Sequence, residues 1–187
     1  MGYGILLTGQ PGVGKTTCVL KVVQSLRERG IQVAGFYTQE VRVEGSRIGF
    51  KLVDVHSGRQ GWLAKTNGEA GPRIGKYRVM LGDLNEIGVG SLRRALTDPN
   101  VQVIVVDEVG PMEMVSEAFQ KTVEEVTSGG NVFLFTVHWR IVDQFAVKAR
   151  EKSPLTLIYL TPMNRDAAPS RILNVINRFL RNKEVDQ

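Results

Sequence analysis

The sequence predicts an α/β fold with a mostly parallel central sheet flanked by helices. The β-branched runs "VQVIVVDE" and "NVFLFTV" are typical of strands buried on both faces of a parallel sheet. Amphipathic segments with helical spacing alternate with such runs. Apolar and polar residues alternate across residues 31–81, which predicts a β-hairpin-rich elaboration at the edge of that sheet.

The N-terminal elements are a short buried strand at residues 3–7, a glycine-rich loop and a helix. Four apolar residues lie on one face of that helix, and Gly30 is placed to end it: Val19, Val22, Val23 and Leu26. In the elaboration, "EGS" and "HSGR" are turn-like, and a further strand is predicted at residues 76–81.

The second half alternates helices and strands. Helices are predicted at residues 84–96, 114–126 and 141–150, and strands at "VQVIVVDE", "NVFLFTV" and "PLTLIYL". A last amphipathic helix has apolar residues at i, i+3, i+4, i+7 and i+8, namely Ile172, Val175, Ile176, Phe179 and Leu180. Without a linker or repeat, the 187 residues are expected to form one domain, 1–187.

Composition limits the class of protein. No apolar run has the length of a membrane span, and no N-terminal signal precedes the first strand, so a cytoplasmic protein is expected. The single cysteine, Cys18, excludes an intramolecular disulfide framework and is expected to be an apolar filler. The net charge of +5 suits polyphosphate ligands. It is compatible with nucleic acid, which no motif supports. The oligomeric state stays open, with a monomer as the starting expectation.

The stretch "GQPGVGKT" matches the phosphate-loop pattern G-x-x-x-x-G-K-[ST] of P-loop NTPases, with a strand before it and a helix after it. The glycines let backbone N–H groups converge on phosphate oxygens, at the positive end of the following helix. Lys15 is expected to contact the β- and γ-phosphates, and the Thr16 hydroxyl to ligate Mg²⁺. The predicted nucleotide contacts are Gly9, Gln10, Pro11, Gly12, Val13, Gly14, Lys15, Thr16 and Thr17.

A pair of acids follows the buried run "VQVIVV". Asp107 is expected at the carboxyl end of a strand, where open α/β sheets bind ligands, and to hold Mg²⁺ together with Thr16. Glu108 comes next and is predicted to activate a water near the γ-phosphate.

Other interpretations stay open. Asp107-x-x-Gly110 also fits the D-x-x-G of GTPase switches, with Thr38 as a switch threonine. The guanine-reading pattern is missing, because the similar "NKEVD" at residues 182–186 has valine where aspartate is required. A nucleotide, nucleoside or polynucleotide kinase could use the same loop, and so could a nucleotide-gated binding module.

The phosphate loop, "GFYTQEVR", "RIGF" and "VVDEVGPME" together resemble the THEP1-type nucleoside-triphosphatases, from Gly4 to about Leu160. The resemblance implies a P-loop fold of the RecA-like or additional-strand type. It implies slow, Mg²⁺-dependent hydrolysis of ATP, GTP, CTP and UTP to diphosphate and phosphate, with broad base tolerance and Glu108 as catalytic base. The implied further nucleotide contacts are Val103, Ile104, Val105, Val106, Asp107, Glu108, Val109 and Gly110.

The human member of the family has lysine where this chain has Pro111, so that lysine cannot be essential to a shared reaction unless another cation replaces it. Arg140, in "TVHWR", follows a buried strand and is a candidate catalytic residue beside Lys15 and Glu108. His138, at the same strand end, is expected to be structural. Trp62 is expected to pack rather than to stack on a base.

Overall fold

The computed structural model describes residues 2–185, with side chains described as far as Asn182. Nine strands lie in this range: β1 (Tyr3–Thr8), β2 (Val33–Val43), β3 (Ser46–Asp54), β4 (Gln60–Lys65), β5 (Arg73–Ile74), β6 (Tyr77–Val79), β7 (Val103–Val109), β8 (Val132–Val137) and β9 (Leu155–Tyr159). They form one sheet in the order β5-β6-β4-β3-β2-β7-β8-β1-β9.

The helical segments in the described range follow the predicted order. They are α1 (Lys15–Glu28), α2 (Leu81–Asp83), a π-helical stretch (Leu84–Val89), α3 (Gly90–Thr97), a 3₁₀ turn (Glu113–Val115), α4 (Glu117–Ser128), α5 (Val142–Arg150) and α6 (Ala168–Val185). None of them combines the length and apolar character that crossing a bilayer requires. The helix predicted from residue 114 begins later, because the Ser116 hydroxyl caps it by accepting the Phe119 N–H at 3.1 Å.

The sheet has a parallel half and an antiparallel half. Strands β2, β7, β8, β1 and β9 pair in parallel, whereas β3, β4, β5 and β6 continue the same sheet as antiparallel strands. The predicted elaboration is therefore confirmed, as an extension of the central sheet. β2 belongs to both halves: it pairs with β7 only as far as Phe36, and with β3 from Phe36 to Val43.

Hydrophobic residues cover both faces of the parallel half. Ile5 and Leu7 of β1 face a core shared with α1 and α6, whereas Leu6 faces a second core shared with α3, α4 and α5. A shift of one residue in register would move every such side chain into the wrong core, so this double burial fixes where each strand ends. Cys18 lies in the α1 core as predicted, and burial raises the pKa of its thiol to about 11.

Candidate active site

The loop between β1 and α1 has the geometry of an anion cradle. Gly12 and Gly14 have φ values of 80° and 109°, in the left-handed region that side-chain-bearing residues rarely adopt. The N-cap residue of α1 is Gly14, which has no side chain that could cap the helix. The first-turn N–H groups at the positive end of the helix are therefore left for a ligand. Backbone donors around such a loop are suited to phosphate oxygens.

Lys15 folds back on this loop. Its half-buried ammonium donates to the carbonyl of Gly9 at 3.0 Å and to that of Gln10 at 3.5 Å. A phosphate would offer charged acceptors in place of these neutral carbonyls, and charge-assisted hydrogen bonds are the stronger ones. The Lys15 ammonium therefore lies against the loop backbone, where a bound phosphate would be within reach of the side chain.

Asp107 lies near the carboxyl end of β7, two residues before Val109, and 2% of its surface is exposed. Its Oδ2 accepts the hydroxyl of Thr16 at 2.7 Å, and its Oδ1 accepts the hydroxyl of Thr136 at 2.5 Å. The backbone N–H of Thr38 also donates to this carboxylate. Burial raises the pKa of Asp107 above its ordinary value, while these hydrogen bonds and the charge on Lys15 act in the opposite direction.

The Thr16 and Asp107 oxygens fit Mg²⁺, which prefers oxygen ligands and usually keeps waters and substrate phosphates as its remaining ligands. No group of three or more His, Cys, Asp or Glu suited to a metal occurs in the part of the chain that the structure describes. A site of this kind needs none, since two protein oxygens suffice beside a triphosphate.

Glu108 follows Asp107 through a cis peptide bond and is half-buried. Its Oε1 is the buried side-chain oxygen that has no hydrogen-bond partner among the described residues. Burial raises the pKa of Glu108 to about 7; the charge on Lys15 lowers it and that on Asp107 raises it. A buried carboxylate oxygen that lacks a donor is suited to accept a proton from a bound water.

Glu113 is a third carboxyl group at this site, which sequence reasoning missed. It is 4% exposed and accepts hydrogen bonds from its own backbone N–H and that of Gly110. A Cβ added at Gly110 would lie 3.1 Å from Glu113 Oε2 and 3.4 Å from Glu108 Oε2, so the two carboxyl groups flank this glycine. Burial, and next the charge of Glu108, raises the pKa of Glu113 well above its ordinary value. The sequence signal that could have identified it is the acidic residue that ends "GPME", three residues after Gly110.

Thr136 and the backbone of Thr38 were also missed as partners of Asp107. Thr136 was the one polar residue of the apolar run "VFLFTV", and it is fully buried. Such a residue must find a hydrogen-bond partner, which is the signal that could have drawn attention to it. Thr38 lies just beyond the point where β2 leaves β7, so its N–H turns to the carboxylate instead of a strand.

Arg140 and His138 lie beyond the carboxyl end of β8, on the same rim as the end of β7. The Arg140 side chain is exposed, and its guanidinium carbon lies 4.9 Å from the centroid of the Trp139 ring. The backbone N–H of Arg140 donates to His138 Nδ1 at 3.3 Å. Burial lowers the pKa of His138, as do the charges of Lys15 and Arg140.

The stretch from Val103 to Gly110 contains buried apolar residues and the two acids of the site. Five of its side chains are 0% exposed inside the sheet and have no surface for a ligand, which corrects their expected role as nucleotide contacts: Val103, Ile104, Val105, Val106 and Val109. They hold the strand whose tip carries Asp107 and Glu108. The pattern "NKEVD" ends at Asp186, which lies outside the described residues.

Comparison with known proteins agrees with this geometry. A family model described as NTPase matches residues 4–173. The nucleoside-triphosphatase THEP1 of Thermofilum pendens is 42% identical over 172 residues, which cover 91% of this chain and 93% of that protein. The THEP1 of Methanothermobacter thermautotrophicus is 40% identical over 175 residues, covering 94% and 97%.

Two solved structures share the fold. The crystal structure of THEP1 from Aquifex aeolicus has a TM-score of 0.77 and 30% identity, covering 92% of this chain and 98% of that one. The solution structure of a human cancer-related nucleoside triphosphatase has a TM-score of 0.76 and 32% identity, covering 93% and 97%. With the phosphate loop and the Asp107 strand tip in place, the chain belongs to the THEP1 family of nucleoside-triphosphatases and has its P-loop α/β fold.

Proposed function

We propose that this protein hydrolyses nucleoside 5′-triphosphates at the β1–α1 loop, with Mg²⁺ and with broad tolerance for the base. One observation carries the proposal: the hydrogen bond from Thr16 to Asp107 joins the phosphate loop to the tip of β7, where Glu108 follows. Hydrolysis as the reaction follows from membership of a nucleoside-triphosphatase family. The site groups described above are suited to binding phosphate, metal and water rather than a base, which supports ATP, GTP, CTP and UTP as alternative substrates.

Binding of the triphosphate falls to the loop and to Lys15. The backbone N–H groups of Gly12 and of residues 14–16 would surround the β-phosphate. The ammonium of Lys15 moves from the Gly9 and Gln10 carbonyls to β- and γ-phosphate oxygens. Thr17 is exposed on the first turn of α1, beside the expected α-phosphate.

Thr16 Oγ1 and Asp107 Oδ2 would hold Mg²⁺. When bound, the ion would offset the negative charge that develops on the phosphate oxygens during the reaction. Thr136 and Thr38 hold the Asp107 carboxylate in one orientation through their hydrogen bonds.

The reaction is in-line attack of water on the γ-phosphorus. The Glu108 carboxylate accepts a proton from the water as the new P–O bond forms, and the bond between the γ-phosphorus and the β–γ bridging oxygen breaks. The bond electrons leave with the nucleoside diphosphate, whose charge Lys15 neutralises. Arg140, on the neighbouring rim, supplies a further positive charge to the γ-phosphoryl group as it transfers.

The proposal is tested by phosphate release from the four triphosphates, with Glu108→Gln and Lys15→Ala beside the natural chain. Glu108→Gln keeps the size and removes the base, so we expect nucleotide binding to persist and hydrolysis to fall about 10²- to 10⁴-fold. Lys15→Ala should weaken both. Glu124→Gln changes an exposed glutamate on α4 and is the matched control. Full turnover in Glu108→Gln would refute the assignment of the base.

We also propose that the protein works in the cytoplasm, where nucleoside triphosphates and Mg²⁺ are available. Its single cysteine, which offers no intramolecular disulfide, supports that location.

A further inference from the structure

A cleft of about 640 Å³ adjoins the metal end of the phosphate loop. Its lining residues are Thr16, Thr38, Gln39, Glu40, Val41, Arg42, Lys51 and Gln60. Apart from Thr16 they all come from β2, β3 and β4, the antiparallel extension of the sheet. The volume is within the usual range for small-molecule sites.

One wall of this cleft is an unpaired strand edge. β2 loses its pairing with β7 after Phe36, and consecutive residues from Thr38 to Arg42 then line the cleft. The Thr38 N–H is taken by Asp107. The further backbone groups of this edge that point away from β3 have no pairing strand among the described residues, so they can bond the polar edge of a ligand.

Trp62 is not among the lining residues of the cleft, but it lies on the same face of the extension, opposite Lys51 on the neighbouring strand. The bulge between β3 and β4 pairs Phe50 with Ala64 and Lys51 with Trp62, so Trp62 shares a face with Lys51 instead of following Ala64 into the core. A Cβ added at Gly49 would lie 2.9 Å from Trp62 Cζ3, which shows that the indole lies against this glycine. Trp62 is half-buried, and it packs against Gly49 rather than within either hydrophobic core.

Lys51 gives the cleft its charge. Its ammonium lies 5.7 Å from the centroid of the Trp62 ring, and it forms no salt bridge with any residue whose side chain is described. Glu40, the carboxylate in the lining, is already paired with Arg42 and with Arg47. The positive charge of Lys51 is therefore uncompensated, which suits an anionic ligand.

We propose that this cleft binds a nucleoside monophosphate unit as a second ligand, either a free nucleotide or the end of a single-stranded nucleic acid. The phosphate pairs with Lys51, whose flexible stem lets the ammonium leave the ring, and the base then stacks on Trp62. The side-chain amides of Gln39 and Gln60 supply donors and acceptors for the sugar and base. This inference rests on the proposed function only for the identity of the neighbouring ligand, the triphosphate in the phosphate loop. The groups that bind the second ligand lie outside that loop.

The test uses the two tryptophans of the chain. Trp139→Phe leaves Trp62 as the sole tryptophan. The phosphate loop is first saturated with Mg²⁺ and a non-hydrolysable β,γ-imido triphosphate, whose own binding is measured separately. AMP and a short oligothymidylate are then titrated while the fluorescence is recorded. We expect saturable quenching, weakened about tenfold or more by Lys51→Gln and unchanged by Lys121→Gln, an exposed lysine of α4.

Each outcome decides the proposal. Quenching by AMP assigns the cleft to free nucleotides, and quenching by the oligothymidylate alone assigns it to single strands. Absence of quenching by both ligands overturns the proposal, as does equal weakening by Lys51→Gln and Lys121→Gln. Failure of the imido triphosphate to bind the natural chain would instead refute the proposed function, and Lys51→Gln should leave that binding unchanged.

Discussion

Thr136 on β8 donates a 2.5 Å hydrogen bond to Oδ1 of Asp107 on β7, on the side of the carboxylate opposite the oxygen that Thr16 contacts. The two neighbouring parallel strands are thereby coupled through side chains at the point where the sheet meets its ligand. Asp107 can present Oδ2 to the phosphate loop because the hydrogen bond from Thr136 fixes the position of Oδ1.

Thr136→Val is expected to loosen that carboxylate without removing a metal ligand. Loss of such a supporting hydrogen bond typically costs about 10- to 100-fold in metal affinity, so the Mg²⁺ concentration for half-maximal phosphate release should rise by that factor. Thr136→Ser keeps the hydroxyl and should restore the natural value. An unchanged Mg²⁺ dependence in Thr136→Val would contradict a positioning role, and thermal unfolding of each variant separates this effect from a loss of fold.

Arg140→Ala is expected to lower kcat about 10²-fold or more while leaving KM nearly unchanged, because the proposed contact forms as charge develops on the transferring phosphoryl group. Arg150→Ala removes an exposed arginine at the far end of α5 and should retain natural kinetics. Steady-state phosphate release measures both constants. A natural kcat in Arg140→Ala would contradict the proposal that Arg140 contacts the transferring phosphoryl group.

Asp54 is expected to make the fold sensitive to acid. Burial raises the pKa of Asp54, but hydrogen bonds from Ser57, His56 and Arg94 outweigh it and hold the pKa below the ordinary 3.8. The ionised form therefore stabilises the folded state above pH 3.8, and this contribution is lost as the pH falls through the lower folded-state pKa.

Asp54→Asn should lower the free energy of unfolding by about 1.5 to 3 kcal/mol at pH 7, the usual size for hydrogen bonds to charged groups. The difference from the natural chain should shrink below pH 3.8. Denaturant unfolding across that range measures it, with Glu124→Gln as the exposed control. A difference that stays constant down to pH 2 would show that the charge of Asp54 is not responsible.

Phe119 of α4 packs against Phe36 of β2, the strand that continues to Thr38 at the site. It is 0% exposed, and its ring centroid lies 6.1 Å from that of Phe36 in an edge-on arrangement. Phe119→Ala should cost about 3 to 5 kcal/mol and lower Tm by about 10 °C or more. Val147→Ala, at a residue 59% exposed, should stay within about 0.5 kcal/mol of the natural chain. Calorimetry that gave equal losses for the two variants would contradict this.

Local pattern was sufficient for most of the fold. The β-branched runs predicted the parallel strands because burial on both faces leaves no polar position, and the glycine pattern predicted the turn before α1. The later start of α4 could not be anticipated from hydrophobic spacing, since a single hydroxyl, that of Ser116, decides where the first helical turn begins.

Features that depend on strand register, or on contacts between residues far apart in the chain, could not be predicted from the local sequence pattern. Thr136 meets Asp107 only because β7 and β8 are neighbours, a contact 29 residues apart in the chain. The bulge opposite Lys51 determines the face of β4 on which Trp62 packs, and nothing in the local residues signals that bulge. Glu113 reaches Gly110 through a short turn that alternation and helical spacing do not describe.

The lone thiol of the chain offers a chemical reporter. Cys18 is 3% exposed, and with a pKa of about 11 it carries almost no thiolate at neutral pH. Alkylation by iodoacetamide should therefore be slow in the native protein and become fast only when the helix behind the phosphate loop detaches. Labelling rates measured with and without nucleotide would then give the free energy of that local opening from one residue, with no engineered probe.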